Sequence, residues 1–132
     1  MTYFADLSPY VYLSDTVAPG EKVLNVGWLE NGQPFDTGTT STGFVEKLGE
    51  LCRTNPVART RGVHACDLCA EDEKQYPVTP LIDGVPVPLG GAEVRVPAIS
   101  GEILAAPDLV YHYVVKHGYL PPTPFIEAVL AC

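Results

Sequence analysis

The sequence is short of basic residues: eight lysines and arginines stand against sixteen acids, a formal net charge of −8 over 132 residues. Nucleic-acid binders draw most of their affinity from a basic face that neutralises phosphates, so a nucleic-acid partner is not expected. The one concentration of positive charge, Arg53, Arg59 and Arg61, reads as a solvated edge. Long apolar runs are also missing. No stretch reaches the roughly 18 residues of a membrane span, and the opening MTYFADLSPY lacks the basic patch and apolar core of a secretory leader. The expectation is a soluble, cytoplasmic protein with no membrane attachment. Cysteines number only four, two of them in Cys66-x-x-Cys69, which in a cytoplasmic chain reads as a metal or redox motif and not as a disulfide framework. There is no His-Glu-x-x-His, no phosphate-cradling glycine loop and no Gly-x-Ser-x-Gly elbow. No catalytic residue is therefore assigned and no organic cofactor is expected.

What is present suits one compact domain spanning residues 1–132. The chain is 46% hydrophobic, enough for a core without disulfides, and its 13 prolines and 12 glycines imply many turns. Residues 1–20 read as an extended, aromatic-rich entry with Tyr3, Phe4, Tyr10 and Tyr12. Lys22–Leu29 alternates as a strand with Leu24, Val26 and Trp28 inward, and Asn31-Gly32 predicts a hairpin turn back into a short strand around Pro34–Thr37. From Thr42 to Arg53, the spacing of Phe44, Val45, Leu48, Leu51 and Cys52 predicts a helix that Asn55-Pro56 terminates.

A strand is expected over Val57–Val63, opening into the cysteine-bearing turn. Residues 70–91, punctuated by Pro77, Pro80, Pro86 and Pro88, read as an irregular proline-rich surface loop with one short strand at most. Ala92–Pro97 and Glu102–Ala105 form a predicted hairpin about Ser100-Gly101. A helix opening at Pro107-Asp108 stops at Gly118, and a terminal helix starts at Thr123. The fold class that follows is α+β: a small, mainly antiparallel sheet covered by about three helices and stabilised by zinc.

The metal expectation rests on residues 64–69, His-Ala-Cys-Asp-Leu-Cys. Two thiolates separated by two residues can grip one ion in a tight knuckle, and on an extended chain His64 projects on the same side as Cys66. The remaining donors lie elsewhere. His112 and His117 have the spacing found in zinc sites, but an ideal helix aims them about 140° apart, so they share an ion only if the last turn loosens. Two donor sets compete. One joins His64, Cys66 and Cys69 to a single distant donor; the other joins Cys66, Cys69, His112 and His117 and leaves His64 just outside. Cys52 is a third source of the missing donor, although its place on an apolar stripe favours a buried thiol, and Cys132 reads as an incidental free thiol.

The segments ADLSPYVYL, LNVGWL, ELCRTNPV with TRGVHACDLC, AEVRVP and APDLVYHYVVKHGYLPP together resemble a family of small, uncharacterised bacterial proteins. Its members share an ADLSPYxY opening, a central RGxHxCxxC and a closing HYxxxHGYxPP. The resemblance implies no activity; it implies that Arg61-Gly62, His64, Cys66, Cys69, His112 and His117 occupy motif positions. Three roles are weighed: a binding or accessory module whose Cys/His site holds Zn2+ to support the fold, a small zinc-dependent enzyme with an open metal position, and an acidic immunity or inhibitor protein. Its partner would be a protein or a small molecule.

Overall fold

The computed structural model describes residues 2–132. In chain order the main elements are β1 (Val23–Asn25), α1 (Thr42–Thr54), β2 (Leu81–Ile82), β3 (Val85–Pro86), β4 (Glu93–Pro97), β5 (Ile103–Pro107), α2 (Val110–His117) and α3 (Thr123–Ala131). The fold is α+β, as expected. Its main sheet is mixed, not mainly antiparallel: strand order is β1-β5-β4, with β4 antiparallel to β5 and β1 parallel to it. Local alternation reports which residues share a face but not which way a distant partner runs, and Val23 pairs with Ile103 from far along the chain.

The sheet is covered on both sides, and β5 shows why. Leu104 and Ala106 face the helices and join a core with Phe44, Leu48, Val94, Val96, Val110, Phe125 and Val129, while Ile103 and Ala105 face a second cluster with Tyr10, Val23 and Trp28. The second cover is the N-terminal segment. It runs antiparallel to β1 and its continuation, with the Tyr10 N–H donating to the Val23 carbonyl at 2.9 Å, Asn25 to Ser8 at 2.8 Å and Phe4 to Trp28 at 3.2 Å. On this side Glu93 is buried, accepting from the Tyr10 hydroxyl at 2.6 Å and pairing with Arg95 at 2.9 Å.

That arrangement explains why the expected return strand at Pro34–Thr37 does not form. One edge of β1 is taken by β5 and the other by residues 4–10. The turn at Glu30–Gln33 is present, but the chain beyond it crosses to the end of α2, where Thr37 pairs with Tyr119 and the Leu120 N–H donates to Asp36 at 2.9 Å. Helix α1 follows its sequence signals closely: the Ser41 side chain, one residue before the expected cap, accepts from the Phe44 N–H at 3.1 Å, and Phe44, Leu48, Leu51 and Cys52 are buried.

Two further expectations change. Val57–Val63 is not a strand. Val57 makes a single bridge to Glu93, then Ala58 takes a left-handed φ of 51°, and the segment is tied to the chain at 90–91 by Thr60 and His64 amides. Residues 70–91 are not merely a surface loop. They contain the β2–β3 hairpin and bury Val78, Ile82, Val87 and Leu89 in the main core.

Candidate metal centre

The cysteine pair sits where the chain leaves the segment 57–64 and turns sharply at Asp67-Leu68. The Leu68 and Cys69 N–H groups donate to the Cys66 sulfur, the closed knuckle that a two-residue spacing permits. Asp67 points the other way and accepts from the Asn31 N–H at 2.9 Å, which fastens the knuckle to the Glu30–Gln33 turn. Cys66 is buried and Cys69 half-buried.

The two histidines come from α2, and the helix end resolves their 140° divergence. The Tyr113 carbonyl accepts from the Gly118 N–H, five residues on, and from the Tyr119 N–H at 3.1 Å. The last turn is thus wider than an α-turn, and Gly118 at φ 68° turns the chain out of the helix. In this geometry the rings of His112 and His117 stand 5.2 Å apart, close to perpendicular, and both aim at the knuckle.

The structure brings four donor atoms together. The Cys66 sulfur lies 3.4 Å from His117 Nε2, and the Cys69 sulfur lies 3.3 Å from His112 Nε2 and 3.4 Å from His117 Nε2. All four atoms fall within 4.8 Å of one another. A tetrahedron with zinc–sulfur bonds of about 2.3 Å and zinc–nitrogen bonds of about 2.0–2.1 Å has sulfur–nitrogen edges of about 3.5 Å. The spacing fits such an ion, so Cys66, Cys69, His112 and His117 are positioned to bind a metal.

Burial sets the protonation of the Cys66 thiol and of the two histidines. Burial pushes the Cys66 thiol up to about 11, against the pull of the two amides that donate to it. Burial, with His117 and Lys116 nearby, pushes His112 down to about 4, and burial lowers His117 as well. Neutral imidazoles therefore offer free lone pairs at pH 7. A metal ion binds the thiolate form, so an ion placed there would draw off the Cys66 proton that burial retains.

The remaining histidine and cysteines lie elsewhere. His64 is not in the donor set. Its amide donates to the Gly90 carbonyl at 2.9 Å, and its side chain lines a cleft with Tyr3, Phe4, Tyr12 and Trp28. Extended geometry alone made it a neighbour of Cys66, but the turn at residues 66–69 swings the sulfur toward α2 while the hydrogen bond to Gly90 holds the His64 backbone back. Cys52 is buried in α1, its sulfur 3.7 Å from the Asp108 carbonyl, and burial raises its pKa far above the ordinary thiol value. Cys132 is exposed at the chain end.

Sequence reasoning missed the fastening of the site's far side. The Tyr119 hydroxyl, two residues beyond His117, donates to the Asp6 carboxylate at 2.8 and 2.9 Å, and Asp6 also accepts from the Gly27 N–H at 2.9 Å. The signal was weak: an acid in a solvated N-terminal stretch, and a tyrosine just after a helix cap. Among the described residues no helix is long and apolar enough to cross a membrane.

One family model matches residues 2–130, nearly the whole chain; its description is a domain of unknown function (DUF7919). No curated protein and no solved structure matches the chain.

Proposed function

Membership of the DUF7919 family, to which this chain belongs, brings no activity with it, and from the Cys/His geometry we propose that the protein is a small zinc-binding module whose metal supports the fold. The observation that carries the reading is the convergence of four protein donors, two sulfurs and two Nε2 atoms, at tetrahedral spacing. Thiolate with imidazole is a donor set that zinc fills readily. Four protein donors saturate a tetrahedral ion, which supports a closed site over the open, water-bearing position that a hydrolytic zinc enzyme keeps.

The ion clips the loop 64–69 onto α2, two segments about fifty residues apart in the sequence, where Cys66 already shares the core with Val110 and Tyr113. A net charge of −8 supports a protein or small-molecule partner over nucleic acid. Elemental analysis of untagged protein tests the metal: one zinc per chain is expected, and Co2+ substitution should give the absorption of a tetrahedral ion with two thiolates. Chelation should lower the melting temperature by more than about 15 °C, since a structural zinc contributes several kcal/mol at roughly 3–5 °C each in a domain of this size. An unchanged cooperative melt after verified metal loss would overturn the structural role.

A further inference from the structure

The four donors are unequally covered. Cys66 is 1% exposed and packs in the main core, whereas Cys69, His112 and His117 are half-buried. Solvent therefore reaches the site past the Cys69 sulfur and the two rings. The segment that leaves Cys69 is held loosely. No residue from 70 to 77 is buried, and its ion pair to α2, Glu73 with Lys116 at 3.6 Å, is exposed. A surface pair of this kind contributes only about 0–1 kcal/mol. The chain enters the core again at Val78.

The four cysteines differ in what an oxidant can reach and what it can form there. Cys52 lies inside the core with its sulfur against the Asp108 carbonyl, and the exposed Cys132 donates to the Ala128 carbonyl at 3.2 Å. Neither belongs to the Cys/His group. Cys66 and Cys69 hold their sulfurs within 4.8 Å of each other, on a turn whose two-residue spacing suits a disulfide. A bound metal ion keeps both as thiolates, the form that reacts with an oxidant.

We propose, resting on the zinc reading above, that the centre is a peroxide-responsive switch: oxidation of Cys69 and then Cys66 releases the metal and frees residues 69–77 from α2. The half-buried Cys69 thiolate attacks one oxygen of hydrogen peroxide. An S–O bond forms, the O–O bond breaks, and the leaving hydroxide takes up a proton. The Cys66 thiolate then attacks the sulfur of the Cys69 sulfenic acid. An S–S bond forms, the S–O bond breaks, and a second hydroxide leaves as water. The sulfur pair loses two electrons to the peroxide, two protons are consumed and two waters result. The disulfide offers no thiolate, so the ion departs and the outer half of the knuckle parts from α2, while Cys66 stays anchored in the core.

The test exposes the full-length protein, loaded with about one zinc per chain, to hydrogen peroxide. A chromogenic chelator reads the released ion, and peptide mass mapping reads each cysteine. Zinc release should keep pace with a Cys66–Cys69 disulfide, and dithiothreitol with added zinc should reverse both. Trypsin cleavage after Lys74 should quicken about tenfold in the oxidised protein. Cys132→Ser should release zinc at the wild-type rate. Cys69→His keeps a donor for the ion but cannot form the S–S bond, and should release zinc about tenfold more slowly or worse. Zinc kept through a dose that oxidises Cys132 would overturn the switch and leave the metal reading intact. So would Cys69 driven to sulfinic acid with no disulfide, or release that Cys132→Ser abolishes. A chain that takes up no zinc would overturn both.

Discussion

The amide of Gly90 donates to Oδ1 of Asp108 at 2.7 Å, joining the end of the proline-rich segment to the start of α2 inside the core. On its other side Gly90 lies flat against the backbone of His64: its carbonyl accepts from the His64 N–H, and a Cβ at Gly90 would overlap the His64 carbonyl oxygen. One residue therefore sets the path by which the chain approaches Cys66. Its φ of 108° is open to glycine and strained for any residue with a side chain.

Gly90→Ala should then cost about 3 kcal/mol or more, from the strained φ and the overlap together. It should also loosen the knuckle and weaken zinc binding, although Gly90 is no donor. Denaturant unfolding of the metal-loaded variant, with a competitive chelator titration beside it, reads both effects. Wild-type stability in Gly90→Ala would show that the approach to Cys66 is not held in this way.

Removal of the donors separates the two roles that the sequence leaves open for the histidines. Cys66→Ser and His112→Ala should each reduce the zinc content from about one per chain to near zero after mild chelation. His64→Ala should retain the full complement, because its side chain lines the aromatic cleft and not the metal centre. Zinc lost on His64→Ala but kept on His112→Ala would reverse the assignment.

Asp108 gives the stability a pH dependence. Burial raises its carboxyl from 3.8 to about 6, against the hydrogen bonds from Gly90 and Ala92 and the charge of Arg59 that lower it. A raised carboxyl pKa means that the folded protein binds more protons than the unfolded chain between about pH 4 and 6. This contribution to stability is therefore largest below pH 4 and is lost as pH rises through 6, amounting to about 2–3 kcal/mol. Asp108→Asn keeps an oxygen to accept from Gly90 and removes the titration. The stability difference between variant and wild type should grow in the variant's favour from pH 4 to 6.5; both share the protonation of the metal donors, so that effect cancels. A flat difference would disprove the burial of a charged Asp108.

Tyr119→Phe tests the fastening behind the metal centre. The ring stays to fill the core, and the hydroxyl that donates to Asp6 is lost. A loss of about 1.5–3 kcal/mol is expected for a hydrogen bond to a carboxylate. Amide hydrogen exchange at Gly27 and along residues 4–8 should quicken, since Asp6 anchors both. Exchange unchanged at those amides would mean that the segment is held by its backbone pairing with residues 23–28 and not by Asp6.

Much of this arrangement could be read from short stretches of sequence. The stripe of α1, the β4–β5 hairpin and the stop of α2 at Gly118 each depend on neighbours a few residues apart, and each lies within a residue or two of its expected place. The Cys66/Cys69 pair carries its own signal for the same reason. His112 and His117 carried the spacing of zinc donors, but which donor set forms was left open, because their convergence needs a widened last turn, seen in the double acceptance at the Tyr113 carbonyl. The direction of β1 was illegible, since it is decided by a partner far along the chain. A clue to the second cover did exist: Ile103-Leu104-Ala105-Ala106 is apolar at every position, the mark of a strand buried on both faces.

The parallel pairing of β1 with β5 has a consequence for how the chain assembles. Val23 and Ile103 must meet across a loop of about eighty residues, and such long closures carry a large entropic penalty before any contact rewards them. The local hairpin and the three helices can form early, in microseconds to milliseconds, while β1 waits. An ion that joins residues 66 and 117 ahead of that event ties off much of the intervening chain, so folding with zinc present should be faster as well as tighter, with the last step being the arrival of the first strand.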